Sequence, residues 1–259
     1  MSAFADDDRG LHYGDGLFET IRFVGTHAPL WDWHVQRLTA GCLRLSLPAP
    51  DPTELREHAL TAAAEHAQTV IKIVLTAGSG PRGYARPSPL VPRLRLFVQA
   101  FVARAPVDLC LRWCHTRYAV QPLLAGIKHL NRIENVLARN EWATQFDEGL
   151  MLDTRSRVIG ATAANVFVRI SDRWLTPSVH RSGIAGVGRR WLLAHLGAEI
   201  GDLSRRDVLG ANQCVLINAL RGPLAATELG PTRWQPDAQV RELQRAWQQL
   251  FKTPKVTER

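Results

Sequence analysis

A lysine amine that can shed its proton does two kinds of chemistry. It condenses with an aldehyde to form a Schiff base, and it can act as a general base. Lys128 is placed for both, in the run Gly126-Ile127-Lys128-His129-Leu130-Asn131-Arg132. The preceding stretch, Gln121 to Gly126 with Pro122 inside it, reads as loop. Leu130, Ile133, Val136 and Leu137 then recur at helical spacing, which predicts a long amphipathic helix opening at Lys128. A base that works near neutral pH needs a lowered pKa, and partial burial is one way to supply it. Taken alone, the same lysine also reads as a solvated cation at a helix start.

Two further groups of residues point to anions. Gly183-Ile184-Ala185-Gly186-Val187-Gly188 precedes the amphipathic run Trp191, Leu192, His195, Leu196. That order puts the backbone N–H groups of Val187 and Gly188 at a helix start, a natural phosphate seat. Arg82 and Tyr84 lie in the glycine-rich loop Gly78-Ser79-Gly80-Pro81-Arg82-Gly83-Tyr84, which can approach a ligand closely, and an arginine there can hold a carboxylate. The bland alternatives are a steric glycine turn and a solvated surface loop.

These groups need elements to position them. Leu17–Val24 alternates as a strand, Trp31–Leu45 reads as a helix, and Asp51-Pro52 opens another that runs to about His66. Strands follow at Val70–Thr76, Leu94–Ala100 and Leu109–Cys114. Beyond Lys128 come strands near Gly149–Asp153, Val166–Ile170 and Val215–Asn218, a helix after Gly188, and a last helix over Gln239–Phe251. The expected architecture is a two-domain α/β protein. A small N-terminal α/β lobe covers residues 1–115, a linker 116–126, and a larger β-rich lobe with helices 127–259.

At 259 residues with 46% hydrophobic content, the chain can bury a sizeable core. It contains no run of roughly 18 apolar residues, so no membrane span is expected. The acidic N-terminal segment lacks the apolar stretch of a signal peptide. The four cysteines have neither metal-type nor redox-type spacing, which points to reduced thiols in a cytoplasmic protein and to no metal site. The net charge of +8 comes from dispersed arginines without a basic block. Such a field suits small anionic ligands, and no nucleic-acid partner is expected.

Four segments carry a resemblance when read in order. They are Asp8-Arg9-Gly10 with Tyr13-Gly14-Asp15-Gly16-Leu17-Phe18-Glu19-Thr20; His34-Val35-Gln36-Arg37-Leu38; the Lys128 run; and Asp147 to Asp153 continuing to Thr162-Ala163-Ala164-Asn165-Val166-Phe167. The set resembles the fold-type IV pyridoxal-phosphate enzymes, the group of branched-chain and D-amino-acid aminotransferases, from about Asp7 to about Trp247. The Lys128 run and the Arg82-Gly83-Tyr84 loop are most similar to the 4-amino-4-deoxychorismate lyases of that group. The resemblance implies pyridoxal 5'-phosphate as cofactor and Lys128 as the Schiff-base lysine and catalytic base. It implies phosphate contacts from Arg37, Val187, Gly188, Asn218 and Ala219, substrate contacts from Arg82 and Tyr84, and a homodimer. The implied reaction is elimination of pyruvate from 4-amino-4-deoxychorismate to leave 4-aminobenzoate, a folate precursor. A D-amino-acid or branched-chain aminotransferase, or a non-catalytic anion-binding relative, are the alternatives.

One position departs from the group. A glutamate normally holds the cofactor's pyridine nitrogen protonated, and Gly160 stands in its place here. A weaker electron sink should harm transamination most, since elimination is also driven by formation of an aromatic ring.

Overall fold

A computed structural model of the protein describes residues 4–252. The chain divides into two compact units. One comprises Met1–Ala103, Lys128–Asn131 and Gln248–Arg259; the other comprises Arg104–Ile127 and Arg132–Trp247.

The first unit begins with a short helix, α1 (Arg9–Tyr13), capped by the Asp8 carboxylate on Gly10 N–H. Then come β1 (Gly16–Val24), α2 (Trp31–Leu45), α3 (Pro52–Ala63), β2 (Gln68–Thr76) and β3 (Arg93–Ala100). The strands form an antiparallel sheet with β2 in the middle. The two-residue period of β1 buries Leu17, Ile21 and Phe23 on one face, with α2 lying on β1 and α3 on β2. Glu19 falls on that same buried face. α3 starts as its sequence demands, with the Asp51 carboxylate accepting from the N–H groups of Thr53 and Glu54 and proline in the first turn.

The second unit holds β4 (Leu109–Tyr118), α4 (Ile133–Arg139), β5 (Glu148–Asp153), β6 (Val158–Ala161), β7 (Asn165–Ile170) and β8 (Arg173–Pro177). It continues with α5 (Val187–Leu196), β9 (Glu199–Gly201), α6 (Arg205–Leu209), β10 (Gln213–Asn218), β11 (Gly222–Leu229) and β12 (Thr232–Arg233); α7 (Ala238–Leu250) comes last. Its sheet runs β6-β5-β4-β11-β10-β7-β8-β9, with β12 on β11. β5 is buried on both faces: Leu150 and Leu152 join a core with Leu111, Val166, Leu216 and Leu224, and Met151 packs opposite with Cys114, Tyr118 and Trp142.

Two expectations from the sequence are corrected. Residues 116–126 are not a linker between lobes. β4 runs on to Tyr118, pairs in parallel with β5 and β11, and carries the whole of 104–127 into the second unit. Nor does Lys128 open a long helix. Phe18 N–H donates to Lys128 O at 2.9 Å and Leu130 N–H to Gly16 O at 3.0 Å, so this run is extended along β1. A helix would need those backbone groups for its own ladder. α4 is only seven residues, and its apolar side chains Ile133, Val136 and Leu137 are 63%, 49% and 54% exposed.

Candidate active site

Lys128 owes its position to backbone pairing. The 128–130 segment lies antiparallel beside the start of β1, where Leu17 bridges His129. Asn131 completes the anchor: its Nδ2 donates to Gly14 O at 2.9 Å, and Gly14 turns there at φ +64°. The half-buried Lys128 side chain places Nζ 4.1 Å from the centre of the Phe18 ring, a cation–π contact.

The next strand position, Glu19, anchors the second cation. Arg37 Nε donates to Glu19 Oε1 at 2.8 Å and Nη2 to Oε2 at 2.6 Å, a two-pronged contact. His34, one turn earlier on α2, places Nδ1 2.6 Å from Glu19 Oε2. With the carboxylate ionised, that nitrogen carries the proton and donates. Burial pushes the Glu19 pKa up, but the charge and hydrogen bonds of Arg37, with His34, outweigh it and bring it to about 2. Burial, together with the positive charges of Arg37 and Lys128, lowers the His34 pKa despite Glu19. Lys128 and Arg37 are therefore electrostatic neighbours of one buried imidazole.

The loop carrying Arg82 and Tyr84 is exposed, Tyr84 at 88%. It is nevertheless held at its backbone. Gly83 N–H donates to the Tyr13 hydroxyl at 2.9 Å, and the Tyr84 ring meets the Tyr13 ring edge-on at 5.5 Å.

In the second unit, α5 begins at Val187 with Gly186 as N-cap and no side chain capping it. The first N–H groups of a helix lack internal acceptors, and no side chain takes those of this helix start. Gly188 brings this helix start against the end of β10. A Cβ there would stand 3.0 Å from the carbonyl carbon of Asn218 and 2.9 Å from Ile217 Cγ1. The Asn218 carboxamide is committed to local structure: Oδ1 accepts from Leu220 and Arg221 N–H, and Nδ2 donates to Ala163 O at 3.2 Å. Ala219, half-buried, follows directly. Val187, Gly188, Asn218 and Ala219 thus lie together where the start of α5 meets the end of β10.

Gly160 is buried within β6, paired with Met151, and its φ is not left-handed. A Cβ at this position would meet Ala164 O at 3.0 Å. Of the two acids on the pairing strand, Asp153 is bonded to Arg157, and the other is Glu148. It is occupied by Gly149 N–H at 2.9 Å and by both the N–H and the hydroxyl of Thr162.

Residues 16–229 match the profile of the amino-transferase class IV family. The chain belongs to that family. It is 35% identical to the aminodeoxychorismate lyase of Vibrio harveyi over 225 residues, 83% of each protein. A crystal structure of 4-amino-4-deoxychorismate lyase from Pseudomonas aeruginosa superposes with a TM-score of 0.88, at 35% identity and 96% coverage of both chains. A hypothetical aminotransferase from Mycobacterium tuberculosis, solved in a PLP-bound form, shares the fold at 17% identity and a TM-score of 0.80, over 97% of this chain and 94% of its own.

The residues of this class IV member suit that cofactor. In the first unit a half-buried amine suits an aldehyde and a guanidinium suits an anion; in the second an uncapped helix start does so independently. The sequence reading missed Glu19 and His34, which hold Arg37. Their signal was present: an acid on the buried face of an alternating strand, and a histidine three residues before an arginine on a helix. It also passed over Arg9, which is buried and bonded to the Arg82 loop.

Proposed function

We propose that this chain is a pyridoxal-phosphate-dependent lyase that converts 4-amino-4-deoxychorismate to 4-aminobenzoate and pyruvate. The observation that carries this reading is Lys128, fixed on β1 beside the Arg37–Glu19–His34 cluster, in a chain whose likeness to lyases of that name covers both units. When bound, the cofactor supplies an electrophilic aldehyde and a conjugated ring that accepts electrons from the carbon losing its proton. Lys128 would hold that aldehyde, and Arg37, Val187, Gly188 and the Asn218-Ala219 turn would each be phosphate contacts. During turnover the Lys128 amine takes the proton from the amino-bearing ring carbon. The enolpyruvyl group leaves with the electron pair of its C–O bond and is protonated to pyruvate, while the ring becomes aromatic. Gly160 supports elimination over amino-group transfer, because no carboxylate occupies its position on β6.

Arg82 and Tyr84 are the substrate contacts in this reading, with the arginine facing one of the two substrate carboxylates. No described helix is long and apolar enough to cross a membrane. A cytoplasmic homodimer completes the proposal. The test is purified, cofactor-loaded protein given 4-amino-4-deoxychorismate without any keto acid. Equimolar pyruvate and 4-aminobenzoate are expected. A strict keto-acid requirement would make it an aminotransferase, and failure to take up the cofactor would make it a non-catalytic relative.

A further inference from the structure

Arg9 is 2% exposed, yet its guanidinium reaches the backbone of an exposed loop. Nη1 donates to Gly83 O at 3.0 Å and Ala85 O at 3.1 Å, and Nη2 to Tyr84 O at 3.0 Å. Its Nε donates to Asp15 Oδ2 at 3.0 Å. Three consecutive carbonyls are thereby gathered on one side chain. Tyr13, one turn along α1, bonds Gly83 N–H and also lies under the Arg9 guanidinium at 4.9 Å. α1 itself is fixed from below: Thr76 Oγ1 donates to Asp8 Oδ2 at 2.9 Å, and Arg9 N–H to Gly78 O at 2.9 Å. Only glycine fits at position 10, where a Cβ would lie 2.3 Å from Thr76 Cγ2.

The loop's two arginines are treated differently. Arg86 is committed to both Asp15 oxygens and to Leu45 O. Arg82 makes no hydrogen bond or ion pair among the described residues, although the backbone on its C-terminal side is tied at every residue from Gly83 to Ala85. A cation left unpaired on an immobilised backbone has the form of a preorganised anion contact, because the ordering entropy is spent before the ligand arrives.

We propose that Arg9 is the positioning residue for this loop, holding Gly83, Tyr84 and Ala85 so that Arg82 meets the substrate's carboxylate as a fixed cation. The proposal rests on the functional reading above for the identity of the ligand. Lysine cannot replace Arg9, since a single ammonium lacks the planar fork that spans three carbonyls and a carboxylate at once.

Trypsin tests this directly, because Arg82–Gly83 is an exposed cleavable bond, whereas Arg86 is followed by proline. In cofactor-loaded Arg9→Lys, cleavage after Arg82, mapped by mass spectrometry, should quicken about tenfold or more as the charge-assisted bonds are lost. KM should rise by a similar factor, with kcat nearly kept and the cofactor titration unmoved. Tyr13→Phe, which removes only the hydroxyl bonded to Gly83 N–H, should quicken cleavage severalfold, and it carries the test alone if Arg9→Lys does not fold. Wild-type cleavage rates in the folded variants would overturn the proposal. So would faster cleavage with an unchanged KM. Absence of lyase turnover in the wild-type chain would defeat the functional reading instead, and the cleavage comparison would still decide whether Arg9 holds the loop.

Discussion

Gly188→Ala adds one carbon at the joint between α5 and β10, and its effect can be worked from the geometry. The new Cβ would sit 2.9 Å from Ile217 Cγ1 and 3.0 Å from the Asn218 carbonyl carbon. Carbon atoms in contact rest at about 3.5–4.0 Å, so the shortfall is roughly 0.5–1 Å. Ile217 is fully buried and Asn218 contributes backbone, so neither yields easily. The helix start must move away from the strand end instead. A bond from N–H to a phosphate oxygen is near 2.9 Å and is gone by about 3.6 Å, so a shift of this size breaks contacts on one side of the seat. Losing a charge-assisted bond costs about 1.5–3 kcal/mol, roughly ten- to a hundredfold in Kd. Overpacking should also destabilise the unliganded protein by about 1–3 kcal/mol. The assay is an absorbance titration with pyridoxal phosphate, paired with urea unfolding. Gly201→Ala is the control, since a Cβ there meets nothing within 4 Å. Cofactor binding by Gly188→Ala within twofold of wild type would refute the phosphate seat.

Arg37→Lys keeps the charge but loses the planar fork, and should raise the cofactor Kd about tenfold. An unchanged titration would remove Arg37 from the site. Arg37→Ala is a poorer test, because stranding buried Glu19 without its partner would cost about 3–5 kcal/mol of stability. The Glu19 pKa is lowered in the fold from 4.5 to about 2, so its stabilisation is complete above pH 4.5 and fades as the pH falls toward 2. In a His34→Asn background, where the imidazole cannot titrate, the urea-stability gap between Glu19 and Glu19→Gln proteins should narrow from pH 7 to pH 3; a constant gap contradicts this. Gly160→Glu should raise side transamination while lyase turnover holds or falls, once unfolding shows that the contact with Ala164 O is tolerated. A folded, cofactor-binding variant unchanged in both reactions would end the argument about this position.

Much of the fold was legible because the local signals agree. Asp51-Pro52 marks α3, alternation marks β1, and continuous apolar residues mark β5. The helix expected from Lys128 failed because its apolar spacing was real but its backbone had a stronger use, pairing with Gly16 and Phe18. Periodicity cannot see a partner strand a hundred residues away. The same limit hid the role of Arg9: nothing near it in sequence shows that it collects carbonyls from residues 83–85. The expected boundary near residue 115 fell inside β4 because Pro122 marks a turn, not the end of a domain. Family likeness offers candidate site residues as types alone. What each is bonded to, such as Arg37 to Glu19 or Asn218 to its own turn, came only from the structure. Lys255 lies outside the described residues.

The most direct test of the central claim is to reduce the cofactor-loaded protein with borohydride and locate the modified lysine by mass spectrometry. The chain has four lysines, Lys72, Lys128, Lys252 and Lys255, so the answer is unambiguous. The account predicts stoichiometric pyridoxyl modification at Lys128, and its complete loss, together with lyase turnover, in Lys128→Ala. Modification centred on another lysine, or a Lys128→Ala protein that still turns over, would contradict it.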